Sequence, residues 1–414
     1  MAWDLDITPE GTDGLSIGEL AVAGASTPSE IDDLVRRGLL RGPTAAGRFD
    51  RGDVSRLRLI GSLLRSGVGL EQLTAAVAAG RLSFSFAGDL IVDPPGLTAE
   101  DHGHALAAVG LDETFARRMQ LALGLPQSLP DRMIREDDRE LYGLAAAARR
   151  EGVSDEAILR VLRATTVAMR SIVAAQRDLF RQSIEEPMLA AGLSHREMLD
   201  AGAPLRLRLQ RMGHRVVFLL LRRMLEEVIF ENVVLRLEEA LAEAGIPRVR
   251  GDAETTIAFA DLSEFTRLTI ERGDEAAAEQ GARFVALVQD VATPFGGRLV
   301  KPLGDGVMLH FPLPRDAVDC LAVLIEGAEA AALPAIRAGV AMGPVVSRDG
   351  DFFGHTVNLA ARLVNAAGPN EIWATSDVAV AAQETRVTFA EGTEKTLKGI
   401  EHAIEVRVAR IAGG

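Results

Sequence analysis

The stretch RLVKPLGDGVMLHF, residues 298–311, constrains the fold more than any other part of the chain. Arg298 to Lys301 and Val307 to Phe311 read as two strands, and Leu303-Gly304-Asp305-Gly306 reads as the turn between them. Such a hairpin pairs two strands antiparallel and sets a carboxylate, Asp305, at its tip. Upstream, the β-rich run Thr255-Thr256-Ile257-Ala258-Phe259 leads to a second carboxylate, Asp261, at a strand end. On neighbouring strands the two would meet. Two carboxylates together with phosphate oxygens suit a pair of Mg²⁺ ions, which prefer oxygen ligands and clamp the attacking and leaving oxygens of an in-line phosphoryl displacement. Taken alone, a Gly-flanked Asp also serves turn geometry with no further role.

A third fragment adds different chemistry. After the loop Arg348-Asp349-Gly350-Asp351, the run Val357 to Ala366 is helical in pattern, and Asn358 and Arg362 fall four residues apart on one face. A guanidinium there can neutralise charge on a pentavalent phosphate, while the amide holds the ribose or an equatorial oxygen. A solvated helix face would accept the same two residues.

Together the three fragments resemble the catalytic domain of a class III nucleotidyl cyclase, and the likeness runs from Arg250 to Ala409. Further agreement lies in RAGVAMG at 337–343 and in Leu397-Lys398-Gly399. The resemblance implies an α/β ferredoxin-like palm and metal binding by Asp261, Asp305 and the backbone carbonyl of Leu262. It also implies base reading by Lys301 and Asp351, and transition-state stabilisation by Asn358 and Arg362. Lys398 is the matching triphosphate lysine, with Lys395 close by as its rival. Two Mg²⁺ or Mn²⁺ ions per site and a head-to-tail homodimer with shared sites are implied as well. The chemistry of the base readers agrees independently with adenine, whose N6 donates and whose N1 accepts, matching Asp351 and Lys301; guanine reverses the pattern. The expected reaction is therefore conversion of ATP to 3′,5′-cyclic AMP and pyrophosphate, with no side chain standing out as general base. Pro302 departs from the family pattern and requires an outward edge or bend, because it lacks a backbone donor. A diguanylate cyclase is set aside because the GGDEF signature is missing.

At 414 residues, 48% apolar and 25% charged, the chain can hold two or three domains. The formal net charge of −14 argues against broad binding to nucleic acid or anionic membranes. The lone cysteine, Cys320, excludes an internal disulfide and reads as a buried thiol in an apolar helix. The first residues lack the pattern of a signal peptide, and the longest apolar run, Val216 to Leu221, is far below the roughly 20 residues of a spanning helix. A cytoplasmic protein with no membrane span is expected.

Beyond a tail at 1–14, residues 15–82 resemble the winged helix-turn-helix of MerR-type regulators, within a module taken as 15–95. Glu30, Asp32 and Asp33 on the would-be recognition helix would repel phosphate, which argues against DNA as a partner. Residues 96–204 read as an all-α regulatory domain, with helix starts at Thr98-Ala99-Glu100 and Ser154-Asp155-Glu156 and breaks at 126–130, Pro187 and Gly202-Ala203-Pro204. That region resembles the helical part preceding the catalytic domain in some actinobacterial soluble cyclases. Its histidines, among them His102, His104, His195 and His214, leave a pH signal or a small molecule as candidate regulators. Residues 205–247 form a long transducer helix with apolar residues on more than one face, and 248–414 the catalytic domain. The competing reading is a DNA-binding transcriptional regulator whose cyclase-like domain only senses nucleotide. A sensor has no need for Asn358 and Arg362 together.

Overall fold

The computed structural model describes residues 14–24, 26–92, 97–125, 133–246, 255–263, 265–348, 350–397 and 402–411. Four helices come first: α1 (Ile17–Gly24), α2 (Pro28–Arg36), α3 (Gly52–Arg65) and α4 (Leu70–Ala78), closed around Leu20, Ile31, Phe49, Leu57 and Ile60. Thr27 starts α2 through a reciprocal cap with Glu30, which satisfies two otherwise orphaned amides. Between α2 and α3 the chain makes a turn at 44–48 and an isolated bridge, Leu15 to Phe49. That arrangement does not by itself make a winged helix.

The next region departs from the all-α expectation. Strands β1 (Leu97–Asp101) and β2 (Met133–Arg135) pair antiparallel, with Thr98 Oγ1 donating to the Ile134 carbonyl at 3.2 Å. Pairing with a distant strand thus overrides the local start signal at Thr98. The helix begins instead at α5 (His102–Val109), capped by Asp101, which accepts from the His104 amide at 2.8 Å. Helices α6 (Glu113–Ala122), α7 (Glu136–Arg150) and α8 (Asp155–Phe180) complete a core of Phe115, Met119, Tyr142 and Leu159. The Ser154 cap of α8 is as expected.

One histidine of the four is built into that core. His102 is 3% exposed, its Nε2 lies 3.1 Å from the Tyr142 hydroxyl, and that hydroxyl also accepts from Gln120 at 2.8 Å. Burial holds the imidazole below its ordinary value of 6.5, only partly offset by the charges of Glu113, Asp138 and Asp101. A base whose folded pKa is depressed stabilises the fold above its unfolded pKa, and that stability is lost as pH falls through 6.5 toward the lower folded value. The melting temperature of the full chain is therefore expected to drop between pH 7.5 and 5.5, and to drop less in His102→Gln, which keeps an acceptor for Tyr142. Parallel decreases in thermal melts followed by circular dichroism would contradict this account.

Helix α8 continues without interruption through a π-helical turn at 181–185 into α9 (Glu186–Ala190), so Pro187 lies inside an unbroken helical run, against the expected break there. Helix α10 (His195–Glu243) then runs 49 residues straight through Pro204, against the expected break. An internal proline costs about 3 kcal/mol, but the small neighbours Gly202 and Ala203 are buried, and a Cβ on Gly202 would already sit 3.5 Å from the Phe180 ring. Close packing outweighs the local break signal. Phe218, Leu221, Leu225 and Phe230 along α10 are exposed. The chain divides into two compact units within this helix, between Val234 and Leu235. Among the described residues no helix is long and apolar enough to cross a membrane.

The second unit is an α/β sheet domain. Its elements are β3 (Thr255–Leu262), α11 (Phe265–Arg272), α12 (Asp274–Ala292), β4 (Arg298–Leu303), β5 (Gly306–Phe311), α13 (Pro314–Ala330), β6 (Ile336–Gly343), β7 (Val346–Arg348), β8 (Asp351–Phe353) and α14 (His355–Ala366). They continue with β9 (Ile372–Thr375), α15 (Ser376–Ala381), β10 (Val387–Phe389), β11 (Thr393–Lys395) and β12 (Ile404–Ile411). The sheet order is β10-β12-β9-β6-β3-β5-β4, with β11 also on β12 and β7–β8 as a separate ribbon. Only β6 and β9 run parallel among these pairs. Alternation along β3 sends Ala258, Ala260 and Leu262 toward α12 and α13, and Ile257 and Phe259 toward α14. Cys320 is buried in the first of these layers, where burial pushes its thiol up to about 12. Pro302 lies on β4, the edge of the sheet, where its missing donor breaks no ladder.

Candidate active site

The site begins with the end of β3. Asp261 pairs in register with Gly306 on one side and Arg337 on the other. A Cβ on Gly306 would stand 3.0 Å from Asp261 Oδ1, so the glycine makes room for the carboxylate. At the hairpin tip Gly304 has φ +74°, and the Asp305 carbonyl accepts from the Leu262 amide at 3.0 Å. The tip is thereby tied to the strand end, and the two carboxylates are brought together as expected.

Arg337 is the cation of this corner. Its Nε donates to Asp261 Oδ2 at 2.9 Å and its Nη2 reaches the same oxygen. Burial raises the Asp261 carboxyl above its ordinary value and the charge of Asp305 adds to this, while Arg337 opposes it. In sequence Arg337 stands out only as part of the run RAGVAMG. The signal that could have found it is register: a basic residue near the start of β6 faces the end of antiparallel β3.

The second cluster depends on a bulge. Leu299 faces Leu309, but Lys301 faces Met308, so Val300 is an extra residue in β4. In an unbroken register Lys301 would point toward α12 and α13; the bulge turns it to the α14 face. There it forms an ion pair with Asp351 of β8, whose Oδ1 also accepts from the Phe352 amide at 2.9 Å. Partial burial opposes ionisation of Asp351, but the Lys301 ammonium and the amide outweigh it and hold the carboxyl below its ordinary value.

The third group is carried by α14. Leu359, Ala360, Leu363 and Val364 face the sheet, and Gly339 lets the helix come close, since a Cβ there would collide with Val364 N and the Ala360 carbonyl. Seating that face leaves Asn358 and Arg362 exposed on the other, with no side-chain partner among the described residues. Helix α14 starts two residues earlier than expected, at His355. Lys398 lies outside the described residues; Lys395 is exposed, its ammonium 5.7 Å from the Trp373 ring centre.

Residues 249–408 match the family model of the adenylate and guanylate cyclase catalytic domain. An uncharacterized protein of Mycobacterium tuberculosis is 32% identical over 321 residues, 75% of this chain and 79% of its own. An adenylate cyclase of Streptomyces coelicolor is 30% identical over 298 residues, 70% of this chain and 73% of its own. This chain belongs to the class III nucleotidyl cyclases. A pH-sensitive adenylate cyclase of Mycobacterium tuberculosis is similar too, 29% identical over 269 residues, 64% of this chain and 65% of its own.

The cyclase family generally uses divalent metal ions. Among the described residues no group of three or more His, Cys, Asp or Glu side chains gathers in one place. The donors at hand still fit a hard cation that takes its other ligands from phosphate: two adjacent carboxylates, with the charge of Asp305 felt at Asp261 and only Arg337 opposing it.

Proposed function

We propose that this cyclase is an adenylate cyclase that converts ATP to 3′,5′-cyclic AMP and pyrophosphate, at sites shared by two catalytic domains arranged head to tail. The observation that carries the substrate choice is the Lys301–Asp351 pair. An ammonium next to a carboxylate offers a donor and an acceptor side by side. That is the complement of the adenine N1 and N6 edge and the wrong pattern for guanine. The named relatives at about this level of similarity, adenylate cyclases, favour the same substrate.

In this reading Asp261, Asp305 and the Leu262 carbonyl hold two divalent ions, which when bound lower the pKa of the ribose 3′-hydroxyl and neutralise phosphate charge. Lys301 and Asp351 fix the base and so fix the ribose in line with the α-phosphorus. Arg362 offsets charge on the equatorial oxygens, and Asn358 holds the ribose or one of those oxygens. Lys398 is assigned the triphosphate. The helical region is read as regulatory, supported by relatives whose similarity extends well beyond residues 249–408.

The test is steady-state turnover by the full chain with ATP and with GTP, in Mg²⁺ and in Mn²⁺, with cyclic product resolved by chromatography. ATP is expected to be preferred by at least about tenfold in kcat/KM, the worth of one mismatched polar contact. Equal or greater turnover of GTP would overturn the substrate reading while leaving the family membership intact.

A further inference from the structure

The bulge at Val300 has a second effect on the α14 face of the β4–β5 hairpin. Arg298 is the register partner of His310, and His310 shares its face with Met308. The bulge puts Lys301 opposite Met308, so Arg298, His310 and Lys301 come to one face of one hairpin. The neighbouring ribbon meets that face at two consecutive residues. Asp351 pairs with Lys301, and Phe352, 7% exposed, stacks on the His310 ring with centroids 4.9 Å apart and planes 11° from parallel. The Arg298 guanidinium lies 5.5 Å from the same phenyl centre. Burial and the charge of Arg298 keep His310 down at about 4, so the stacked imidazole is neutral at working pH.

A single ion pair at a half-exposed position would leave the short β7–β8 ribbon, which is not hydrogen-bonded to the main sheet, free to pivot. A flat aromatic contact on the adjoining residue removes that freedom, because stacked rings restrict both distance and tilt. We propose that the stack of Phe352 on His310, with Arg298 beside it, is a positioning device for nucleobase selectivity, holding Asp351 at the distance from Lys301 that the base edge requires. Phe352 and His310 touch no substrate in this account; they act through Asp351. The inference rests on the reading of Lys301 and Asp351 as the base-recognising pair.

The experiment compares ATP with purine riboside triphosphate, which lacks the N6 amino group and so reports on Asp351 alone. In the full chain, Phe352→Ala is expected to raise KM for ATP and to shrink the preference for ATP over the purine analogue about tenfold, the loss of one oriented hydrogen bond. Its kcat at saturation should change by less than about threefold, since Lys301 still anchors the base and no transition-state group has moved. Phe352→Tyr should restore both KM and preference. His310→Leu keeps volume on a partly exposed position while removing the stack, and should lie between the two if Phe352→Ala does not fold. A preserved preference in Phe352→Ala or His310→Leu, with only kcat or melting temperature reduced, would show a purely structural role and overturn the inference. Asp351→Ala separates the two levels: if it leaves the ATP preference of the otherwise native enzyme unchanged, the base-pair reading itself fails.

Discussion

Mixing Asp261→Ala with Arg362→Ala chains, each expected to be inactive alone, should recover about a quarter of wild-type activity once subunits exchange. Asp261 sits at a sheet corner, 16% exposed at its side chain and engaged by Arg337. Arg362 is on the outer face of α14, and that helix is already committed to the sheet through Leu359, Ala360, Leu363 and Val364. A guanidinium and an amide presented outward, with no side-chain partner among the described residues, make chemical sense if they complete a site on a second copy of the chain. Random pairing makes half the dimers mixed, and each mixed dimer collects both lesions in one site and leaves the other intact. The metal lesion removes a ligand that a two-ion mechanism cannot spare, and loss of the arginine removes transition-state stabilisation of about 3 kcal/mol. Neither parent should therefore leak enough to imitate recovery. If exchange is demonstrated, for example by co-purification through two tags, and the mixture stays as inactive as its parents, the residues must act within one chain.

What the sequence carried well was local and chemical. GDG between two apolar runs gives a hairpin with a carboxylate tip, and Asn358 and Arg362 share a face by helical periodicity alone. Both follow from turn geometry and spacing, and neither depends on distant neighbours. The missing parts were set by contacts far apart in the chain. Nothing in RLVKPLGDG announces a bulge at Val300; it arises where β4 meets β5, and it alone decides the face on which Lys301 appears. Arg337 becomes the partner of Asp261 only when β3 and β6 are laid in register. The same holds in the helical region, where β1 needs β2 to become a strand and Pro204 stays in α10 because its neighbours are buried. Local signals were outvoted by packing in each case.

The second large effect expected concerns the Lys301–Asp351 pair, in which Lys301→Glu with Asp351→Cys should move the ATP:GTP ratio of kcat/KM toward GTP. Each new side chain matches the guanine edge and leaves adenine with an unpaired polar group, at about 1–3 kcal/mol per mismatch, so the ratio should shift about a hundredfold. The ion pair makes the single substitutions informative as well. Lys301→Glu alone sets a second carboxylate against Asp351 where an ammonium had held it ionised, so it should lose activity with both nucleotides. Asp351→Cys alone removes the acceptor for N6 but leaves the cation half-exposed and solvated, a milder lesion. Because the two side chains touch, the double variant should retain more activity than the product of the single effects predicts, a coupling that distant residues would not show. A double variant that stays active and keeps the native preference for ATP would remove Lys301 and Asp351 from base recognition, and the specificity of this cyclase would have to be sought elsewhere on the face of α14.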